Sequence, residues 1–226
     1  MFATDAILPA DPQGVEVLHD REYRVRAYRT ADDRLLIRGA VRDQKPPGMY
    51  VPEDPAPLTI HHMVVELEIA FPSLEIVRAE ASLEIHPHTT CPRIEDHYQH
   101  LVGLSISRGF TNKVRELFGG PRGCTHTTAL IQAMAPVAVQ CFWSMRASTA
   151  RRTGVDRPFA PAADGPDSES TEAAWKYNVG SCHVWAADGE HVAGIRRGEE
   201  AEVPVPIQRR MAELGHEPST WRDAAS

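Results

Sequence analysis

The chain has 226 residues, a formal net charge of −7, 42% hydrophobic and 24% charged residues, the make-up of a soluble globular protein long enough for a substantial core. An acidic balance gives no general nucleic-acid footprint, no run of about 18 uncharged apolar residues offers a membrane span, and the opening MFATDAILPADPQG lacks the basic and apolar regions of a signal peptide. Four cysteines without a C-x-x-C pair do not form a disulfide framework. A reducing, cytoplasmic setting is therefore expected, with a small-molecule partner rather than nucleic acid or membrane.

One domain spanning 1–226 is expected. Residues 1–20 are polar and punctuated by Pro and Gly, an arm on the surface. In 22–29, Tyr23, Val25 and Ala27 alternate with Glu22, Arg24 and Arg26, the period of a half-buried strand. Arg21, Arg24, Arg26 and Arg29 read together as its solvent face. Asp32 and Asp33 turn the chain into a returning strand, 34–43. Residues 44–57 hold five prolines, which forbid a central strand. Strands follow at 58–71 and 74–86, the second with a slip at Val77–Arg78 that suggests a bulge.

The period then lengthens. Ile94, His97, Tyr98, Leu101 and Val102 predict an amphipathic helix over 93–103. A second helix covers 110–118, and Gly119–Gly120 stop it. A third starts near Cys124 and runs to about Ser148, with Pro136 inside it. Residues 151–170 read as a flexible loop. Within 171–226, residues 181–195 have the form of a strand, an Asp-Gly turn and a strand, and Pro204–Leu214 of a short helix. The fold class is α+β: an antiparallel meander of about four strands covered by three helices, with a C-terminal hairpin.

Seven of the eleven histidines fall between residues 61 and 126. His86, His88 and Cys91 sit at a strand-to-helix junction, and imidazole and thiolate are zinc ligands. Gly119-Gly120-Pro121-Arg122-Gly123 leads into Cys124, Thr125 and His126 at a helix start, where free N–H groups and the helix dipole favour an anion and a thiolate. Positions i and i+2 of a helix do not face each other, which argues against a direct Cys124–His126 dyad. His61 and His62 point to opposite strand faces, so at most one joins a site. No G-x-S-x-G, Walker or dinucleotide motif occurs.

The order of YRVRAYR, DDRLLIRGAVRDQK, IHHM, LEIVRAEASLEI, LVGLSISRGF, VRELFGGPRGCTH and SCHVWAADGEHV resembles a bacterial domain-of-unknown-function family over roughly 23–196, most specifically at Gly123-Cys124-Thr125-His126. It departs at Thr127, at His62 and in the long 151–170 loop. The resemblance implies catabolism of aromatic or other hydrophobic small molecules, with a cofactor-independent retro-aldol lyase as one activity. On this reading His126 is the acid/base, Cys124 a nucleophile, ligand or wall, and Arg122, Gly120 and Gly123 hold an oxyanion. His86 and His88 assist in substrate binding. Hydrolysis is equally drawable. Two further readings stay open: a structural zinc held by Cys91, Cys124, His126 and Cys182, or a ligand-binding or assembly subunit, a homodimer through a sheet edge.

Overall fold

The computed structural model describes residues 7–107, 109–154, 178–199 and 202–222, in two compact units, Met1–Phe142 and Trp143–Ser226. In the first, the period-two stretches form an antiparallel sheet in chain order: β1 (Asp20–Ala31), β2 (Arg34–Lys45), β3 (Leu58–Ala70) and β4 (Ile76–Ile85). With the helices that follow, the fold is α+β. Alternate side chains share a face, and Leu35, Ile37, Val41, Met63, Val65, Leu67 and Ile69 are all buried on one of them. At Val77 the alternation breaks where the register skips a residue: Glu68 pairs with Arg78 and Ile69 with Ile76. That bulge lets Ile76, Ala79 and Leu83 all be buried. The opposite face carries cross-strand ion pairs, Arg38 with Glu66, Arg42 with Glu22, and Arg78 with Glu68. Exposed pairs contribute about 0–1 kcal/mol each, against roughly 1.5–3 kcal/mol for a buried large apolar side chain, so the inner face holds the sheet together.

The expected amphipathic helix over 93–103 is instead a 3-10 stretch, Cys91–Leu101. Its two buried residues, Tyr98 and Leu101, are three apart, which matches three residues per turn rather than 3.6. The stretch covers the β4 edge. Glu95 Oε1 accepts the Leu83 N–H at 2.6 Å and Gln99 Nε2 donates to the Ala79 carbonyl at 2.6 Å, so edge groups that would invite another strand are already bonded. Helix α1 (Phe110–Phe118) follows and buries Phe110, Val114 and Phe118 at i, i+4 and i+8.

Helix α2 (Thr125–Thr153) includes residues 151–153, the start of the expected loop; residues 155–170 of that loop lie outside the described residues. Its length and hydropathy would suffice to cross a bilayer, yet Leu130, Ile131, Met134 and Ala138 are fully buried, as in a core helix. It crosses the sheet over Gly39. A Cβ there would stand 2.7 Å from Met134 Sδ and 3.1 Å from Leu130 Cδ1. The missing side chain is what lets α2 lie this close.

The second unit contains no C-terminal hairpin among the described residues. The SCHVWAADG stretch closes on itself in short turns: Ser181 N–H to Asn178 O, Trp185 N–H to Cys182 O, Ala186 N–H to His183 O and Gly189 N–H to Ala186 O. An N–H used three residues away cannot also serve a ladder. Helix α3 (Glu190–Arg196) then starts after Gly189, where the second strand was expected. Helix α4 (Val205–Glu213) occupies the expected terminal helical segment, and a 3-10 turn, Pro218–Arg222, ends the described chain.

Candidate functional site

The inward stripe of β2 runs Leu35, Ile37, Gly39, Val41 and then Asp43, which is 1% exposed. Register places Arg21 of β1 and His61 of β3 directly opposite Asp43 on either side. One row of the sheet thus reads Arg21, Asp43, His61, with all three side chains on the face that α2 covers. Immediately beyond His61 the register slips, Asp43 to His61 and then Gln44 to Thr59, leaving Ile60 as a bulge beside the site. From above, α2 brings Met134 and Leu130 over Gly39. One turn further toward its start comes His126, which reaches the Asp43 end of the same strand.

A buried carboxylate needs full compensation. Arg21 grips it with both ends of its guanidinium, Nε to Oδ1 and Nη2 to Oδ2, each at 2.6 Å. His126 Nε2 lies 3.0 Å from Oδ2, His61 Nδ1 3.2 Å from Oδ2 and His19 Nε2 3.5 Å from Oδ1. The His61 and His126 rings stack with centroids 3.9 Å apart. Burial pushes the Asp43 carboxyl up, but the hydrogen bonds and charge of Arg21, with His126 and His19, outweigh it and hold it at about 2. The Arg21 guanidinium is correspondingly raised by Asp43. Burial, aided by His61 and Arg21, keeps His126 below its ordinary 6.5 against the pull of Asp43. His126 is therefore a neutral imidazole at neutral pH. With Nε2 3.0 Å from a carboxylate oxygen, the tautomer with its proton on Nε2 and its lone pair on Nδ1 is the one electrostatics favours.

That lone pair faces sulfur: Cys124 Sγ lies 3.9 Å from His126 Nδ1. The helical-wheel objection does not apply, because α2 starts at Thr125 and Cys124 sits just before it, its carbonyl accepting the Thr128 N–H at 2.9 Å. Tyr98 fixes Cys124. Its hydroxyl accepts the Cys124 N–H at 2.8 Å and donates to the Cys124 carbonyl at 3.2 Å. The Tyr98 ring stacks on Phe118 with centroids 4.9 Å apart, and burial raises its hydroxyl pKa, so it remains a neutral phenol. At Gly123 a Cβ would meet the Phe118 carbonyl at 2.5 Å, and at Gly119 it would run into the Arg115 carbonyl. Gly120 has φ +60°. These glycines thus have a steric reason, independent of any ligand, to lead into Cys124.

The other sequence candidates lie elsewhere. Arg122 donates to the Glu116 carbonyl at 2.9 Å and the Arg115 carbonyl at 3.3 Å, closing the end of α1. It also lines a groove with Arg93, Ile94, His97, His100, Glu116 and Leu117. His86 and His88 form a local turn, the His88 carbonyl 2.9 Å from His86 Nδ1. Cys91 is half-buried at the start of the 3-10 stretch, and Cys182 is exposed in the second unit. Among the described residues, the group of three or more potential metal ligands is Asp43, His61 and His126, their donor atoms within 4.8 Å of one another. It shares only His126 with the four residues named for a structural zinc. Arg21 and Asp43 were not singled out as site residues from sequence, and His61 only as one of a pair. Their signal was parity: Arg21 shares the face of Tyr23, Asp43 that of Val41, and His61 that of Met63.

No curated protein and no solved structure matches the chain. Residues 19–140 match the family model described as "Protein of unknown function (DUF2889)", a span that contains His19, Arg21, Asp43, His61, Cys124 and His126. That span is more than half of the sequence, and the chain belongs to the DUF2889 family.

Proposed function

We propose that this protein is an enzyme acting on a small molecule by proton transfer at His126. The observation that carries the reading is the position of the His126 ring, between the Asp43 carboxylate at 3.0 Å and the Cys124 sulfur at 3.9 Å. Asp43 fixes the tautomer, burial keeps the ring neutral, and Nδ1 is left as the base. A base oriented by a carboxylate is the arrangement that general acid–base catalysis requires.

A retro-aldol carbon–carbon lyase is the first reaction to test. His126 Nδ1 takes the hydroxyl proton of a β-hydroxy carbonyl compound. The alkoxide collapses to a carbonyl, and the carbon–carbon bond breaks. Its electron pair passes to the leaving fragment as an enolate, which recovers the proton from His126. An aromatic or otherwise hydrophobic substrate is the class implied by the family resemblance. A specific observation favours a second reading: Cys124, His126 and Asp43 stand in the order nucleophile, base and orienting carboxylate, which suits thiol-based hydrolysis.

Aromatic β-hydroxy carbonyl compounds, and in parallel aryl esters and thioesters, test both readings on the full chain. His126→Ala is expected to lose turnover by about 10²–10⁴-fold with the circular dichroism spectrum unchanged. Turnover that survives His126→Ala overturns the proposal. Cys124→Ser then separates the two reactions, since a lyase keeps its activity and a thiol hydrolase does not.

A further inference from the structure

Two imidazoles converge on a single carboxylate oxygen, Asp43 Oδ2: His126 Nε2 at 3.0 Å and His61 Nδ1 at 3.2 Å. His61 Nδ1 lies 3.2 Å away and is buried, but it is not aligned for a hydrogen bond and has no other partner. An orphaned ring nitrogen inside a cluster of one oxygen and two nitrogen donors, all within 4.8 Å, calls for an atom that can bond to all three. We propose that Asp43, His61 and His126 bind a divalent transition-metal ion through one carboxylate oxygen and two imidazole nitrogens.

The donor set selects the ion. Imidazole suits zinc and other first-row transition metals, whereas magnesium and calcium prefer oxygen alone. Three protein ligands leave coordination positions open. The surroundings fit as well. Arg21 takes one lone pair from each Asp43 oxygen and so holds the carboxylate as an outer partner of a ligand should, and the other lone pair of Oδ2 becomes available to an ion once His126 Nε2 gives up its proton. Its positive charge also offsets that of the carboxylate, so binding is weaker than at a closed structural zinc site. The row Arg21–Asp43–His61 is fixed by strand register, and His126 by the packing of Leu130 and Met134 over Gly39. The backbone therefore brings the three residues together before any ion arrives, and the stacked His61 and His126 rings turn for both nitrogens to face it.

Occupancy has a consequence that rests on the proton-transfer reading. A metal on His126 Nε2 displaces the proton there, and the neutral ring must carry it on Nδ1. Nδ1 then points an N–H at Cys124 Sγ in place of a lone pair, and His126 can no longer act as the base. Metal binding and proton transfer exclude each other at this ring.

Titration calorimetry of chelator-stripped full-length protein with zinc chloride, and with magnesium chloride as control, tests the site. Wild type is expected to bind one zinc ion per chain and no magnesium. His61→Ala should bind zinc at least 10-fold more weakly with an unchanged circular dichroism spectrum, and Cys124→Ser should bind it as wild type does. Undiminished zinc binding by His61→Ala, loss of binding by Cys124→Ser, or no zinc binding by wild type each overturns the site. The coupling is read separately, as the rate of Cys124 alkylation by iodoacetamide. Zinc should slow it in wild type and leave it unaltered in His61→Ala. Zinc that binds without slowing alkylation overturns the exclusion while the metal site stands. Either failure is distinct from that of the proton-transfer reading, which depends on His126→Ala turnover without metal.

Discussion

Asp43 is the residue on which the others depend. It is fully buried and charged, and its carboxyl titrates at about 2 where an ordinary aspartate titrates at 3.8. Its folded-state pKa is depressed, so its contribution is complete above 3.8 and is lost as pH falls from there toward 2. The shift corresponds to on the order of 2 kcal/mol at neutral pH. His126 is also depressed, below 6.5, and for a histidine this means the fold resists its protonation. Its contribution is complete above 6.5 and is lost as pH falls below that value. Urea midpoints measured from pH 8 to pH 2.5 should therefore fall in two steps, one beginning near 6.5 and one below about 4. His126→Ala should remove the upper step and Asp43→Asn the lower, with Asp43→Asn already on the order of 2 kcal/mol less stable at pH 7. A single step that both variants leave in place would show that other groups govern acid stability. Sequence carried half of this. Cys124 and His126 are close in the chain and their glycine-rich lead marks them, although helix spacing argues against a direct dyad. Arg21, Asp43 and His61 are some twenty residues apart, and only strand register brings them into a row. Parity placed each on the inward face, but a charged residue on a mostly apolar stripe is easily read as the end of the stripe. Arg21 reads with Arg24 and Arg26 as one basic face, yet those two face the other way.

At the scale of elements, two glycines set how closely α2 and its lead pack, and they should differ in cost. At Gly39 the obstacle to a Cβ is the Met134 side chain at 2.7 Å. That thioether can change rotamer, although it is fully buried. Gly39→Ala is expected to lose about 1–3 kcal/mol, the usual cost of overpacking, and to disturb His126 by lifting α2. At Gly123 the obstacle is the Phe118 carbonyl at 2.5 Å, which is backbone and cannot turn away. Gly123→Ala should be the more destabilising of the two by urea denaturation and should raise Cys124 alkylation, since it displaces the segment that Tyr98 fixes. Equal costs would mean that α2 moves as a whole in both. The same scale explains where pattern reading stopped. Period two identified all four strands because one face of each is the more covered, fully buried in β2, β3 and β4 and half-buried in β1. The 93–103 pattern fits both i+3 and i+4 spacing, so it could not separate a 3-10 stretch from an α-helix. The 181–195 alternation looked like a hairpin, but an isolated two-stranded ribbon is marginal without a third strand, and the segment makes local turns instead.

For the molecule as a whole, the distribution of buried apolar residues is uneven. Among the described residues, Met145 and Val192 are the only core side chains beyond Phe142; the rest, from Leu35 to Ala138, belong to the first unit. The family match ends at residue 140, close to that division, and every residue of the Asp43 cluster precedes it. Hydrophobic burial is the main source of folding free energy, so the first unit should fold without the rest. A chain ending at residue 154 keeps the whole of α2, including Met145, and omits 155–226. It is expected to unfold cooperatively in urea, with the same acid steps and the same Cys124 alkylation rate as the full chain. Loss of cooperativity would show that the C-terminal unit completes the core. A cooperative fragment with altered alkylation would instead place a contribution to the site in the C-terminal 72 residues, where the fold alone gives no reason to expect one.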